Sequence, residues 1–287
     1  MGDSRVRVDP TVLAHRLRQR ADILRTLRRF LDDSGFLELQ PPVLVPSPAL
    51  EETLEPVRAD GGFLHTSPEF ALKKALALGV GRIYAISPCF RAEEEGVHHS
   101  REFTLLEFYF AGGRALDLEP VVESLVAAAA AAVGAEPPIF GRVTVAELFE
   151  RHAGIPVPDD DEVFFRTWVE RVDPALTEPV FVRDYPARHA ALAEVRGTVS
   201  ERVEVYLGGL ELGNGFSELR DADELRARFH ASARARSAAG RTPHPVDEAL
   251  LDATARMPRC TGIALGVDRL VMALTGARDI AEVQLRP

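Results

Sequence analysis

Residues 103–110 are rich in aromatic side chains and include the acid Glu107, and a similar aromatic and β-branched stretch covers residues 82–91. The charged, turn-prone residues between them predict an antiparallel strand, a long loop and a returning strand. Because side chains alternate across a strand, two sets should each share a face. These sets are Phe103, Leu105, Glu107 and Tyr109 on the returning strand, and Arg91 and Glu93 on the first strand. Burying so many charged groups is costly unless they have partners, so this surface predicts the floor of an active site.

A second polar hairpin is predicted around the adjacent glycines Gly208 and Gly209, which separate two strand-like runs and indicate a tight two-residue turn. With that turn, Tyr206 faces Glu211, and Glu204 is a diagonal neighbour of Glu211 on the same face. Two carboxylates that converge in this way can share a divalent cation, and oxygen ligands suit magnesium. The alternative is a pair of solvated glutamates on an exposed face.

A third stretch is a glycine-punctuated strand over residues 260–266 that runs directly into a helix carrying Arg269. A strand, a glycine and a helix start with an arginine form a plausible phosphate site. Alternatively, Arg269 pairs with Asp268 or with another acid. Residues 67–69 predict a further helix start, with Ser67 as the N-cap and proline at the first helical position. Glu69 there either favours the positive end of the helix or contacts a ligand.

The remaining elements must position these residues. Leucines at three- and four-residue steps predict a helix over 10–34 that stops at Gly35, and its arginines indicate a solvated face, with partner docking as the alternative. The segment 46–62 is predicted to be a loop. Other patterns predict helices over 117–133, 162–172 and 221–238, the last at the surface, a capped helix starting at 144, and strands at 36–39 and 179–184.

Composition limits the possible classes of protein. The chain has 287 residues, of which 46% are hydrophobic, and no repeat or linker divides it, so we expect a single domain over 1–287. A net charge of -10 counts against a protein that mainly binds nucleic acid. The two cysteines lack metal-site spacing, the N-terminus lacks an apolar signal core, and the longest apolar run is too short to span a bilayer. We therefore expect a reduced, cytoplasmic protein.

Three stretches of the chain resemble, in this order, motifs 1, 2 and 3 of class II aminoacyl-tRNA synthetases, at residues 35–42, 90–109 and 262–270. The runs FRAE, EFTLLEFY and ELGNGFSE resemble the lysyl branch. Only a short segment precedes the first predicted helix, so we expect a catalytic domain without the anticodon-binding domain. In this the chain resembles the elongation factor P–(R)-β-lysine ligase family. Ala264 occupies a position where lysyl-tRNA synthetases usually have glycine.

The resemblance implies an α+β fold in which an antiparallel sheet is flanked by helices. It implies a ligase that uses ATP and Mg²⁺ to activate (R)-β-lysine or lysine as an aminoacyl-adenylate, and that transfers it to a lysine side chain of elongation factor P. It also implies a homodimer that forms through motif 1.

Site residues follow from the same resemblance. Arg91 and Arg269 are expected to be catalytic and to bind the phosphates. The expected nucleotide-binding residues are Arg91, Glu93, His99, Ser100, Phe103, Glu204, Val205, Gly266 and Arg269. The residues expected to shape the amino-acid pocket are Ser67, Glu69, Glu107, Tyr109, Glu211, Asn214 and Ala264. Glu204 and Glu211 are expected to hold magnesium.

Two other functions stay open at this point. One is a truncated lysyl-tRNA synthetase-like enzyme that charges tRNA or another carrier; the expected lack of an anticodon domain and the acidic composition count against it. The other is a non-catalytic paralogue that only binds a nucleotide or a partner. Retention of both arginines and of the glutamate pair counts against that function.

Overall fold

A computed structural model describes residues 8–49 and 53–285 of the chain. The helices in this part are α1 (Pro10–Asp33), α2 (Glu69–Ala77), α3 (Ala115–Ala132), α4 (Val145–Leu148), α5 (Asp161–Thr167), α6 (Ala222–Ala238), α7 (Glu248–Thr254) and α8 (Val267–Thr275). The strands are β1 (Leu37–Glu38), β2 (Leu44–Val45), β3 (Arg58–Ala59), β4 (Gly62–Leu64), β5 (Arg82–Phe90), β6 (Glu102–Ala111), β7 (Gly141–Thr144), β8 (Val180–Pro186), β9 (Val195–Arg196), β10 (Val199–Leu207), β11 (Leu210–Ser217) and β12 (Cys260–Gly266).

One large sheet has the strand order β1-β5-β6-β12-β11-β10-β8-β7, and β9 pairs with β10. The strands from β5 to β8 in this order pair antiparallel, whereas the edge strands β1 and β7 pair parallel to their neighbours. Together with the flanking helices, this sheet confirms the expected α+β fold. A second sheet, β2-β4-β3, borders the segment 46–62 that was predicted to be a loop. Within this segment the described residues form a loop except for β3 and Gly62 of β4, and residues 50–52 lie outside the described residues.

Alternation along the central strands gives the large sheet one apolar face. Val203 and Val205 of β10 and Leu106 and Phe108 of β6 are fully buried in the main core. Residues of α1, α3 and α8 form the other side of that core. The alternate residues of the same strands point to the opposite face, which is therefore available for polar side chains.

Smaller apolar clusters cover only the two ends of that opposite face. Near β8 and β10, the rings of Phe149 and Phe164 stack with their centroids 5.0 Å apart, within a cluster that includes α4 and α5. Near β5, Leu72 and Leu76 of α2 are buried beneath the sheet. The centre of the face stays open between these clusters and forms a cleft.

Several arginines are more buried, or more closely paired, than the sequence patterns of their helices predicted. Arg20 of α1 donates to Asp268 at 2.6 Å, and Arg16 forms an ion pair with Glu282, so the predicted solvated face is wrong for these two residues. Arg236 of α6, predicted to be a surface helix, is buried and donates to backbone carbonyls of two loops. A long side chain can reach acceptors on distant segments, which helical periodicity does not reveal.

Element ends shift by a few residues from the prediction. The helix predicted over 162–172 covers Asp161–Thr167 and then continues as a wider helical turn. The predicted capping box at Thr144 is confirmed, because its hydroxyl accepts from the backbone N–H of Glu147 at 3.2 Å. Within the described ranges, none of the helices combines the length and the apolar character needed to cross a lipid bilayer.

Candidate active site

A row of side chains crosses the open face of four adjacent strands, β6, β12, β11 and β10. Backbone pairing aligns one residue from each strand in the order Glu107, Ala264, Asn214 and Glu204. Adjacent strands lie about 4.8 Å apart, so about 14 Å separates the backbone positions of Glu107 and Glu204. The cleft above this row has a volume of about 460 Å³, which is typical of small-molecule sites.

The β6 end of the row is acidic and deeply buried. Glu107 is 0% exposed and accepts hydrogen bonds from the hydroxyls of Ser67, at 2.7 Å, and Tyr109, at 3.1 Å. Burial, followed by the nearby charge of Glu69, raises the pKa of Glu107 to about 8. Glu69 itself accepts from the Lys73 ammonium at 2.6 Å, whereas Glu107 forms no ion pair with any described residue. Glu107 is therefore the acid best suited to receive an ammonium group from a ligand.

Lys73 contacts Glu69 at the acidic end of the cleft, and sequence reasoning did not select it. Its buried ammonium lies 2.6 Å from a carboxylate oxygen of Glu69 and 2.6 Å from one of Glu218. The helix α2 begins at Glu69, so the N-cap is Pro68 and not Ser67 as predicted; Ser67 Oγ still accepts from the backbone N–H of Glu69 at 3.0 Å. The available signal was the spacing of Glu69 and Lys73, since residues four apart on a helix are neighbours.

The β10 end of the row carries the glutamate pair. Oε2 of Glu204 accepts from the hydroxyls of Tyr185 and Tyr206, and Oε1 accepts from Arg202. Glu211 also lines the cleft, and no described residue donates a hydrogen bond to its carboxylate. Burial, followed by the charge of Glu204, raises the pKa of Glu211. The two carboxylates therefore repel each other across the cleft.

A β-bulge brings Glu211 and Asn214 onto the same face of β11. The two-residue turn pairs as predicted, but Val205 then pairs with Gly213 rather than with Leu212. Leu212 packs in the main core, and the register shifts by one residue. In a regular strand, positions 211 and 214 would point to opposite faces.

The glutamate pair fits a divalent cation that protein and polyphosphate bind together. A cation would relieve the repulsion between two partly desolvated carboxylates. Mg²⁺ typically uses one or two carboxylates together with substrate phosphates and water. Among the described residues, no group of three His, Cys, Asp or Glu side chains could hold a metal without such help.

Arg269 of α8, which follows directly after β12, and the loop after β5 line another part of the cleft. Arg269 donates to the carbonyl of Glu211 at 2.8 Å, and its Nη2 lies 2.7 Å from Nε2 of His99. Because arginine only donates, this His99 nitrogen is the acceptor; burial likewise lowers the pKa of His99 and favours the neutral ring. Asp268 instead accepts from Arg20, so the alternative pairing of Arg269 with Asp268 does not occur.

Arg91 lies just beyond the end of β5. Its guanidinium stands 4.9 Å from the centroid of the Phe103 ring, and Nη1 donates to Glu94 at 3.0 Å. Glu93, predicted to share a strand face with Arg91, instead forms an ion pair with Arg241 at 3.2 Å, and its side chain is 61% exposed. Alternation does not extend to Glu93 because β5 ends at Phe90.

The cleft brings together most of the predicted residues. Those that line it are Ser67, Glu69, Arg91, His99, Ser100, Phe103, Glu107, Tyr109, Glu204, Glu211, Asn214, Ala264, Gly266 and Arg269. Glu93 and Val205 do not line it, and the Val205 side chain packs in the main core on the other face of the sheet.

This sheet and its cleft define a catalytic domain of the class II tRNA synthetase type. Residues 6–287 match the family model of class II tRNA synthetases (D, K and N). The chain is 35% identical to the elongation factor P–(R)-β-lysine ligases of Pectobacterium atrosepticum and Erwinia tasmaniensis, over 96% of this chain and 95% of each relative. It is 34% identical to the ligase of the same name from Vibrio cholerae, over 97% of both chains. The chain belongs to the elongation factor P–(R)-β-lysine ligase family of class II synthetase-like proteins.

Gly266 allows a test of whether the nucleotide packs closely against the backbone of β12, because the protein without a ligand has room for a side chain at this position. A Cβ at this position would meet no atom nearer than the Leu212 carbonyl oxygen, at 3.6 Å. Gly266→Ala should therefore keep the thermal midpoint of the parent. It should weaken ATP binding at least about tenfold, because the methyl group would occupy space that the nucleotide needs. Thermal denaturation and calorimetric titration with ATP and Mg²⁺ measure the two effects.

Gly262→Ala is the matched control on the same strand. A Cβ there would lie 2.0 Å from the ring of Tyr109, so this variant should lose stability as well as binding. An unchanged affinity of Gly266→Ala for ATP would contradict the proposed approach of the nucleotide.

The raised pKa of Glu107 makes stability depend on pH. The folded protein keeps this proton up to about pH 8, whereas the unfolded chain releases it near 4.5. Between these values the folded state binds more protons, so the free energy of unfolding falls as pH rises. Glu107→Gln lacks this titrating group. Its free energy of unfolding, relative to that of the parent, should therefore rise by about 1 kcal/mol per pH unit between these two pKa values. Urea denaturation over a pH series measures the difference, and a constant difference would refute the assignment.

Proposed function

We propose that this chain is a cytoplasmic, ATP-dependent ligase that activates (R)-β-lysine or lysine as an aminoacyl-adenylate and transfers it to a lysine side chain of elongation factor P. The observation that carries this proposal is the row across the sheet. It joins an acidic pocket at Glu107 to a carboxylate pair flanked by arginines within one cleft. The names of the relatives support elongation factor P as the acceptor.

The first step would form the adenylate. A carboxylate oxygen of the amino acid attacks the α-phosphorus of ATP, and pyrophosphate leaves. Arg91 would bind the α-phosphate and the attacking carboxylate, and Arg269 the γ-phosphate. Glu204 and Glu211 would hold Mg²⁺, which supplies charge neutralisation for the phosphates when bound. The chain itself contributes positioning and preorganised charge, so no covalent enzyme intermediate is needed.

The acidic end of the row suits a diamino acid. An ammonium group that reaches Glu107 and Glu69 would make charged hydrogen bonds, each worth roughly 1.5–3 kcal/mol. A neutral analogue would not make these charged hydrogen bonds and should therefore bind more weakly. Ala264 lies between Glu107 and Asn214 in the row, and its methyl group occupies floor space that a glycine would leave open. We assign the choice between lysine isomers to this position.

The second step would form an amide bond. The amine of the acceptor lysine attacks the carbonyl carbon of the adenylate, AMP leaves with the bonding electrons, and the amine loses a proton. The acceptor must therefore reach the Asn214 region of the row, where the activated carbonyl would lie.

One assay tests this function against the two alternatives. The protein is incubated with ATP, Mg²⁺ and either lysine isomer, and with either elongation factor P or tRNA. We expect amino-acid-dependent pyrophosphate exchange and a mass increase of the factor by one lysyl group. Labelled tRNA with an unmodified factor would favour the tRNA ligase, and the absence of exchange with both isomers would favour the binding paralogue.

Glu211→Gln separates catalysis from folding in the same assay. Loss of this carboxylate should abolish exchange while the thermal midpoint stays close to that of the parent, because no described residue hydrogen-bonds to it. Glu136→Gln, at an exposed position outside the cleft, is the matched control and should exchange at the parental rate. Unchanged exchange by Glu211→Gln would rule out the role of the carboxylate pair.

We also propose a homodimer that forms through the β1 edge of the sheet. Leu37 of β1 is 52% exposed, and an apolar side chain on an edge strand favours association. The resemblance implies a subunit contact in motif 1, which contains this strand. Sedimentation at micromolar concentration should report the mass of two chains, and Leu37→Asp should shift it toward one. A parental mass of one chain would contradict the dimer.

A further inference from the structure

Arg202 of β10 lines the cleft beside the row, and sequence reasoning did not select it. Its Nε donates to Oδ1 of Asn214 at 3.2 Å, its Nη1 donates to the carbonyl of His189 at 3.0 Å, and its Nη2 donates to Oε1 of Glu204. The guanidinium also stands over the ring of Tyr185, 4.5 Å from the centroid. The side chain is only 18% exposed, and these contacts hold its guanidinium group from several directions.

These contacts determine how the amide of Asn214 is oriented. A guanidinium has donors and no acceptor, so the group that Asn214 turns toward Arg202 must be its carbonyl oxygen. The Nδ2 amino group then points away from Arg202, and Asn214 lines the cleft. An amino group presented there donates hydrogen bonds, which suits a carboxylate and does not suit an ammonium.

Arg202 also links two neighbouring members of the row. Asn214 and Glu204 are directly opposite residues of β11 and β10, and one guanidinium contacts both. The fork geometry matters here, because a lysine ammonium is a single point and cannot span acceptors as a planar guanidinium does.

We propose that Arg202 is a positioning residue for amino-acid binding: it fixes the Asn214 amide with its NH₂ group toward the cleft, where that group receives the carboxylate of the substrate, and it holds Glu204 beside it. The inference rests on the proposed function, because it requires an amino acid to lie along the row. It adds a residue that selects for the carboxylate without touching it.

Arg202→Met tests the role by direct binding. Calorimetric titration with lysine or (R)-β-lysine, without ATP and metal, should show affinity reduced at least about tenfold. Arg183→Met is the matched control, because Arg183 on the neighbouring strand β8 pairs with Glu119 away from the cleft. If Arg202 were only structural, both variants would lower the thermal midpoint and leave the affinity of the folded protein for the amino acid unchanged.

A double-mutant cycle tests the orientation of the amide itself. Asn214→Asp keeps an oxygen acceptor for Arg202 but replaces the amino group by a negative oxygen, so amino-acid binding should be lost with the fold intact. In the Arg202→Met background the same change should cost at least about fivefold less, because the amide is no longer aligned there. Arg202→Lys should not restore parental affinity. Additive effects of the two changes, or full restoration by lysine, would overturn the proposal.

The outcomes separate this inference from the proposed function. A parent that neither binds an amino acid nor exchanges pyrophosphate overturns both. A parent that does both, with an Arg202→Met variant of unchanged amino-acid affinity, overturns only the role of Arg202.

Discussion

Everything in this structure depends on a sheet that buries one face under helices while the other face carries charge. The same strands must satisfy both requirements, and alternation of side chains allows it. Phe108 enters the apolar core while its neighbours Glu107 and Tyr109 face the cleft. The apolar face stabilises the strands by packing in the core. The polar face does not contribute to this core and can therefore hold charged groups, provided that they have partners.

The two ends of the row handle buried carboxylates in different ways. Glu204 is surrounded by donors, including a guanidinium, and so keeps strong partners when no ligand is bound. Glu107 accepts hydrogen bonds only from neutral hydroxyls, and burial, followed by the charge of Glu69, raises its pKa. The first end therefore already has strong donors, whereas under the proposed function the second gains a charged donor when the ligand brings an ammonium. Under that proposal, this asymmetry sets the direction in which the amino acid lies in the cleft.

Local patterns predicted most of the elements that line the site. The tight turn at Gly208 and Gly209, the strand that ends at Gly266 and the helix after Ser67 are short-range features, and each has a mechanism in backbone geometry. The prediction from side-chain alternation failed at Glu93 because β5 ends at Phe90, before this residue. The end of a strand depends on its pairing with a partner strand. Val205 was assigned from the family resemblance, yet alternation along β10 turns its side chain into the core.

The amino-acid sequence by itself determined the family, through its motifs, and the central strands that carry the cleft, through periodicity and turn chemistry. Only the tertiary structure decided which residues meet. Arg202 and Lys73 find their partners across strands and segments that are distant in the chain, and the bulge after Glu211 exists only when β10 and β11 pair. Hydrogen bonds between distant segments depend on the register and packing of the whole sheet, which no local pattern encodes.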